Sequence, residues 1–191
     1  MPRKPDAQLE ERILNAAYNL WKKGGERTLT MRAVAKAAGT TTPTLYERFR
    51  DRGDLLAALR ARAQDNLFQA IKPARSIAEA CRIALDFTVT HGHEYELVAK
   101  DWGALVSRGE PTPSFDLIKE RLAEQLGGSP NDHLQLAFAV ATLYHGASIL
   151  LLNEGIDPKI AATIKQACIS ATDTLVQDAA RTAKSRSAPA N

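Results

Sequence analysis

The sequence predicts an all-α fold, with a small three-helix domain leading into a larger helical one. Three observations predict it. Apolar residues recur at helical spacing along nearly the whole chain, cap residues open one stretch after another, and no strand-like alternation stands out.

The elements follow in order. Leu9, Ile13, Ala16, Ala17 and Leu20 share one helical face, and Lys22-Lys23-Gly24-Gly25 ends that helix with cations and then glycine. Thr30 caps a short second helix, Met31 to Ala38, which Gly39 stops. Thr42 caps a third, with Pro43 at its first position, running to about Phe49. Asp51 caps a fourth from Arg52 to Ile71. Ser76 to Glu79 is a capping box opening a helix to about Gly92. Further helices are expected over Glu94–Ser107, Ser114–Leu126 and Pro130–Asn153, and a last one starts at Asp157-Pro158 and fades into the polar tail KSRSAPAN. The expected organisation is a domain over 1–52, a connecting helix over 53–72, a second domain over 73–183 and a disordered tail over 184–191.

Composition narrows the class. With 45% apolar and 25% charged residues, the chain is able to bury a core. No apolar run approaches the ~20 residues that cross a bilayer, and MPRKPDAQLEER lacks the apolar stretch of a secretion signal. A cytoplasmic location is therefore expected. Cys81 and Cys168 are far apart in sequence and read as buried, reduced thiols. The four histidines show no zinc-like spacing with cysteine, so neither a metal nor a cofactor is expected. The net charge of +3 hides an asymmetry: residues 1–64 carry 13 Lys+Arg against 7 Asp+Glu, and the remainder carries 12 against 15. A basic first third suits a polyanionic partner.

The second and third helices, joined by a tight turn, form a helix-turn-helix arrangement. Val34, Ala35 and Ala38 line the inner face of the first, and Leu45 and Phe49 pack back from the second. Gly39 supplies the left-handed backbone the turn needs. The stretch ILNAAYNLWKKGGERTLTMRAVAKAAGTTTPTLYERFRDRGDLLAAL, Ile13 to Leu59, resembles the DNA-binding domain of the TetR family of bacterial transcriptional regulators. The resemblance rests on the apolar-aromatic first helix, T-x-R-x-V-A-x-x-A-G in the second and T-L-Y-x-x-F in the third. LYHGASILLLNEG, Leu143 to Gly155, resembles the H-G-containing helix of one branch of the family. Two departures stand out: Thr40 replaces the usual valine after the turn glycine, and Thr42 stands where many relatives carry lysine.

The resemblance implies a helix-turn-helix DNA-binding domain followed by a ligand-binding and dimerisation domain. It also implies a duplex operator as partner, a small hydrophobic ligand, and a homodimer without a membrane role. Phosphate contacts position such a protein and base-edge contacts specify the sequence. Thr41 and Thr42, with the amides at the start of the third helix, suit a phosphate. Tyr46 suits backbone oxygen or a thymine methyl, and Arg52 matches the family's phosphate-binding cation. Arg32 and Arg48 are the candidates for guanine O6 and N7, and Thr44 for a thymine methyl. Glu47 either accepts from cytosine N4 or orients Arg48. Thr30 and Pro43 complete the candidate DNA-contacting set, and Arg50 is left open between DNA and solvent.

In the second domain, Ala161, Ile164, Cys168, Ala171 and Leu175 recur at heptad-like spacing, and Phe138, Ala141, His145, Ser148 and Leu152 form a comparable face. The resemblance implies that these two helices pair with their copies across a dimer interface; an intramolecular core seam is the alternative. It also implies that some of Phe87, His91, Tyr95, Trp102, Phe115 and Tyr144 line a ligand pocket, core aromatics being the alternative. The resemblance also favours a repressor released by ligand, through a population shift that moves the fourth helix. The competing reading is a dimeric helical sensor or adaptor without sequence-specific DNA binding. No Gly-rich phosphate loop, H-E-x-x-H or G-x-S-x-G elbow supports an enzyme.

Overall fold

The computed structural model describes residues 7–187, and every regular element among them is helical. The α-helices are α1 (Ala7–Gly24), α2 (Met31–Ala37), α3 (Thr42–Tyr46), α4 (Arg52–Ile71), α5 (Ile77–Thr90), α6 (Gly92–Ala99), α7 (Trp102–Ser107), α8 (Pro113–Leu126), α9 (Leu134–Leu151) and α10 (Pro158–Ser187). The expected tail over 184–191 divides. Its first four residues continue α10, and 188–191 lie outside the described residues.

Two compact units divide the chain. One holds the residues up to Ala63 together with His93–Lys100, and the other holds Gln64–Gly92 and everything from Asp101 onward. The first unit therefore takes in most of α6, a segment distant in sequence that the 1–52 boundary omits. Helix α4 supplies residues to both units.

In the first unit, α1 packs on α2 and α2 on α3. Ile13, Ala17, Leu29, Val34, Leu45, Leu55 and Leu59 are almost wholly buried, as are Tyr95, Leu97 and Val98 of α6. Fully burying a side chain of Leu or Ile size contributes roughly 1.5–3 kcal/mol, so this small core holds the short helices that could not persist alone. Trp21, buried on α1, donates its indole N–H to the His93 carbonyl. Lys22 pairs with the buried Glu94 at 3.5 Å, and Lys100 with Glu26 at 3.1 Å. The 3₁₀ turn after α1 brings Gly25 to a φ of +59°, and a Cβ there would meet His93 Nδ1 at 3.2 Å. The left-handed backbone favours glycine here, and any larger residue would also have to push the His93 ring aside. Arg62 of α4 lies over the Tyr18 ring at 4.9 Å and reaches Glu11 at 3.5 Å.

The single helix expected over Glu94–Ser107 is broken at Lys100-Asp101. The reason is tertiary. Lys100 is tied to Glu26 within the first unit, while Trp102 packs into the second.

The second unit has two adjoining apolar clusters. Ile77, Phe115, Leu122, Ala137, Val140 and Val176 form one, and Cys81, Leu85, Ala147, Leu151 and Cys168 form the other. Helices α5, α8, α9 and α10 supply them. Ser76 caps α5 by accepting from Glu79 N at 3.1 Å, but the Glu79 carboxylate accepts from Arg75 N at 2.8 Å, so the expected capping box closes one residue early. Asp157 caps α10 through the amides of Lys159 and Ile160 at 2.8 and 3.2 Å.

Pro130–Leu151 corrects one expectation. This 22-residue stretch holds an 18-residue window with a mean hydropathy of 1.5, long and apolar enough to cross a bilayer by length and composition only. Gln135, Thr142, His145 and Ser148 interrupt any unbroken apolar run, which hides the stretch from a simple scan. In the fold one side of α9 is core, through Ala137, Val140, Ala147, Ser148 and Leu151. The same helix leaves Leu134, Ile149 and Leu150 exposed.

Candidate nucleic-acid interface

The turn between α2 and α3 is built from local chemistry. Thr30, in extended conformation, accepts from Ala33 N at 3.1 Å and opens α2. Gly39 has a φ of +64°, and Thr40 N closes the turn on the Ala35 carbonyl at 3.0 Å. A residue with a Cβ in this conformation costs about 1–2 kcal/mol.

The cap of α3 is Thr41, one residue before the expected Thr42. The Thr41 carbonyl accepts from Leu45 N at 3.0 Å, and its hydroxyl accepts from Thr44 N at 3.3 Å. Those two bonds define an N-cap, so Thr42 and Pro43 become the first two helical residues. The Thr41 and Thr44 hydroxyls also share a hydrogen bond of 2.9 Å. The helix ends at Tyr46, three residues earlier than expected: its last turn tightens where Arg48 N donates to the Leu45 carbonyl three residues back at 3.0 Å, a carbonyl that Phe49 N shares.

This geometry sorts the candidate residues. Leu45 and Phe49 face inward at 0% and 5% exposure, while Tyr46 is 49% exposed. Thr30, Arg32, Thr41, Pro43 and Glu47 are exposed, and Thr42 and Thr44 are half-buried. Arg48 is also half-buried, and its Nε is enclosed without a hydrogen-bond partner. Part of its guanidinium is therefore directed into the fold.

Arg52 is engaged inside the unit. Its Nε donates to the Leu29 carbonyl at 3.1 Å, and its Nη2 pairs with the Glu26 carboxylate at 3.1 Å. Hydrogen bonds from Lys100 and Arg52 hold the Glu26 carboxyl below its ordinary range. Arg50 pairs with Asp54 at 3.2 Å and remains at the surface.

The residues proposed for ligand contact do not form one group. Trp102, Phe115 and Phe138 pack edge-on or tilted at centroid separations of 5.0 to 6.1 Å. His145 lies 4.9 Å from Trp102 and 5.2 Å from Tyr144. Phe87 stacks on His91 at 4.7 Å. Tyr95 belongs to the other unit, where it is buried. Helical spacing alone could not separate these sets, and Phe138 joins the cluster although its spacing read as seam. Beside them, Thr88 shares hydrogen bonds with Tyr144 at 3.2 Å and with Ser148 at 3.1 Å.

The two helical seams read for dimer contacts face largely inward. Ser148 is fully buried, Cys168 is 5% exposed and touches Cys81, and Ala161 and Ile164 pack on the same cluster. The His145 ring joins the aromatic cluster. Leu152 and Ala171 are half-buried, and Leu175 alone of the set is 37% exposed. A heptad-like stripe identifies an apolar face without saying which helix covers it.

Burial lowers the His145 pKa from its ordinary 6.5, because the charged imidazolium loses hydration in the aromatic cluster. The unfolded chain then binds a proton that the folded chain resists. Stability is expected to fall as pH drops through 6.5, and His145→Leu should flatten that slope. Denaturant midpoints of both proteins across that pH range check it; parallel slopes would refute the assignment.

Two short helices at a glycine turn, braced by a longer first helix and presenting a polar third-helix face, define a helix-turn-helix domain. The family model for bacterial regulatory proteins of the tetR family matches residues 13–59. The match runs from α1 into α4 and so covers the helix-turn-helix domain, about a quarter of the chain. No curated protein is significantly similar to the chain. Among solved structures, a TetR-like transcriptional regulator from Rhodococcus sp. RHA1 is 20% identical, with a TM-score of 0.57 over 92% of this chain and 97% of that one. A tetR-family regulator from Streptomyces coelicolor is 19% identical, with a TM-score of 0.62 over 93% and 89%. The multidrug binding protein EbrR, complexed with proflavin, is 18% identical, with a TM-score of 0.60 over 87% and 99%. These likenesses extend the shared fold over nearly the whole chain.

Proposed function

We propose that the protein is a non-catalytic, cytoplasmic repressor that binds a near-palindromic operator as a homodimer and is released by a small hydrophobic ligand. The observation that carries the DNA reading is the outward face of α3. Thr41, Pro43, Tyr46 and Glu47 are exposed beside the exposed Arg32, on the basic part of the chain. Hydroxyls, a phenol and a guanidinium suit phosphates and base edges.

Dimerisation is supported by the apolar residues left uncovered on α9 and α10. Ile149 is 65% exposed, Ile160 55%, Leu150 50% and Leu175 37%. Leu175 apart, this face is offset from the inward seams, and it carries the small Gly146, Ala167 and Ser170 among its exposed positions, which permit close helix approach. Two α3 helices about 34 Å apart would then meet successive major grooves. The ligand reading is supported by the aromatic cluster around Trp102 and the hydroxyls of Thr88 and Tyr144, a pairing suited to an apolar molecule with one polar group. The likeness to EbrR, which holds proflavin, points the same way. Release follows if ligand prefers the conformation that binds DNA poorly, and is limited by that difference in affinity.

The test is to incubate the protein with fragmented DNA from its source and sequence what it retains. Enrichment of one near-palindromic site, weakened by Arg32→Ala, is expected. Retention without sequence preference that fades steeply with salt, equal for both proteins, would leave only phosphate-level binding and overturn the operator reading.

A further inference from the structure

Residues 81 and 168 are separated by 87 positions in sequence, yet their sulfurs lie 3.6 Å apart in the core of the second unit. Both thiols are free and buried, at 4% and 5% exposure. They face each other across α5 and α10, and the fully buried Thr172 hydroxyl, one turn along α10, donates to Cys81 Sγ at 3.8 Å. A disulfide needs a sulfur separation of about 2.05 Å. The sulfurs are already in contact, so closing the bond requires a modest approach of two side chains on packed helices.

We propose that Cys81 and Cys168 are a reversible oxidation site, converted by a small hydroperoxide into an intramolecular disulfide between α5 and α10.

The two thiols have different roles. The hydrogen bond from Cys81 pulls the Cys168 thiol below its ordinary range, whereas the same contact and burial push Cys81 up. Cys168 is therefore the first to carry the thiolate, and the thiolate is the nucleophile. It attacks the distal oxygen of the peroxide, breaking the O–O bond and releasing an alkoxide or hydroxide that takes up a proton. Cys168 is left as a sulfenic acid. Cys81 sulfur, losing its proton, then attacks the Cys168 sulfur and expels hydroxide, which leaves as water. Two thiols and one hydroperoxide give one disulfide, one alcohol or water, and one water. The thiols are oxidised by two electrons and the peroxide is reduced by two. Burial restricts the reagent to small molecules: hydrogen peroxide or a small alkyl hydroperoxide fits the restriction, and a disulfide as large as oxidised glutathione does not.

The site is independent of the DNA reading, since all three residues lie in the second unit.

The experiment treats the full-length protein with hydrogen peroxide, quenches, unfolds and alkylates it, and maps the peptides without reduction. The expected result is a single Cys81–Cys168 cross-link, an intact mass lower by two hydrogens, and no alkylation at either cysteine. Dithiothreitol restores both alkylations. In Cys81→Ser, Cys168 is expected to stop at the sulfenic acid and be trapped by dimedone; in Cys168→Ser, Cys81 is expected to stay a thiol. Full alkylation of both cysteines after peroxide would overturn the proposal, as would added oxygen without a cross-link or a bridge joining two chains. Should either variant fail to fold, the wild-type map still decides.

Discussion

Leu45→Ala is expected to destabilise the protein by about 2–5 kcal/mol, while Tyr46→Ala, its immediate neighbour, leaves stability within about 0.5 kcal/mol. Leu45 is wholly buried between α2 and α3, so truncation removes apolar contact and leaves a cavity in a core too small to collapse around it. Tyr46 is half in solvent on the same short helix and packs little. Their effects on DNA should divide the other way. Tyr46→Ala is expected to weaken operator binding by roughly 1–3 kcal/mol at constant salt, the range of one good specific contact. Denaturant unfolding and binding titrations on both variants check the pair. A Tyr46→Ala protein that loses stability and keeps its affinity would place the phenol in the core and remove it from the interface. The loss in Leu45→Ala is large against a typical total of about 5–15 kcal/mol, so that variant is expected to be partly unfolded on mild warming.

Trp21→Ala should have an effect of comparable size, about 3–5 kcal/mol, for a different reason. The indole is 3% exposed and also donates to the His93 carbonyl at the start of α6. Truncation loses the buried ring and leaves that carbonyl without its donor. Trp21→Phe separates the two contributions, because it keeps most of the apolar volume and removes only the N–H. It is expected to cost about 1–3 kcal/mol, the penalty of an acceptor left unpaired. Hydrogen exchange would locate the consequence: amides of α6 should lose protection before those of α2 and α3. Equal losses throughout would mean that the tryptophan supports the unit generally and does not fasten α6 in particular.

The parts of the fold legible in the sequence are those set within a few residues. Thr30, Asp51 and Asp157 sit where helices open because a short side-chain oxygen reaches an amide two or three residues on. Gly39 marks the turn because its backbone is left-handed. The Ile13–Leu59 stretch combines such signals densely enough to identify the DNA-binding domain. The sequence misplaces the cap of α3 by one residue, at Thr42 instead of Thr41, because the cap is set by which carbonyl accepts the first helical bond. Periodicity does not report that.

The sequence by itself determined the all-α class, the order of helices, most of their caps and the helix-turn-helix domain, because each depends on near-neighbour geometry and an apolar period. The tertiary structure alone decided four things. It turned Arg52 onto Glu26 and Leu29, drew most of α6 into the first unit, faced the Cys168 stripe toward α5 and set Cys81 beside it. Each of these joins residues 23 to 87 positions apart. An apolar face or a charged side chain announces that it needs a partner, but many faces in an all-helical chain would serve. Packing of the whole core selects which one.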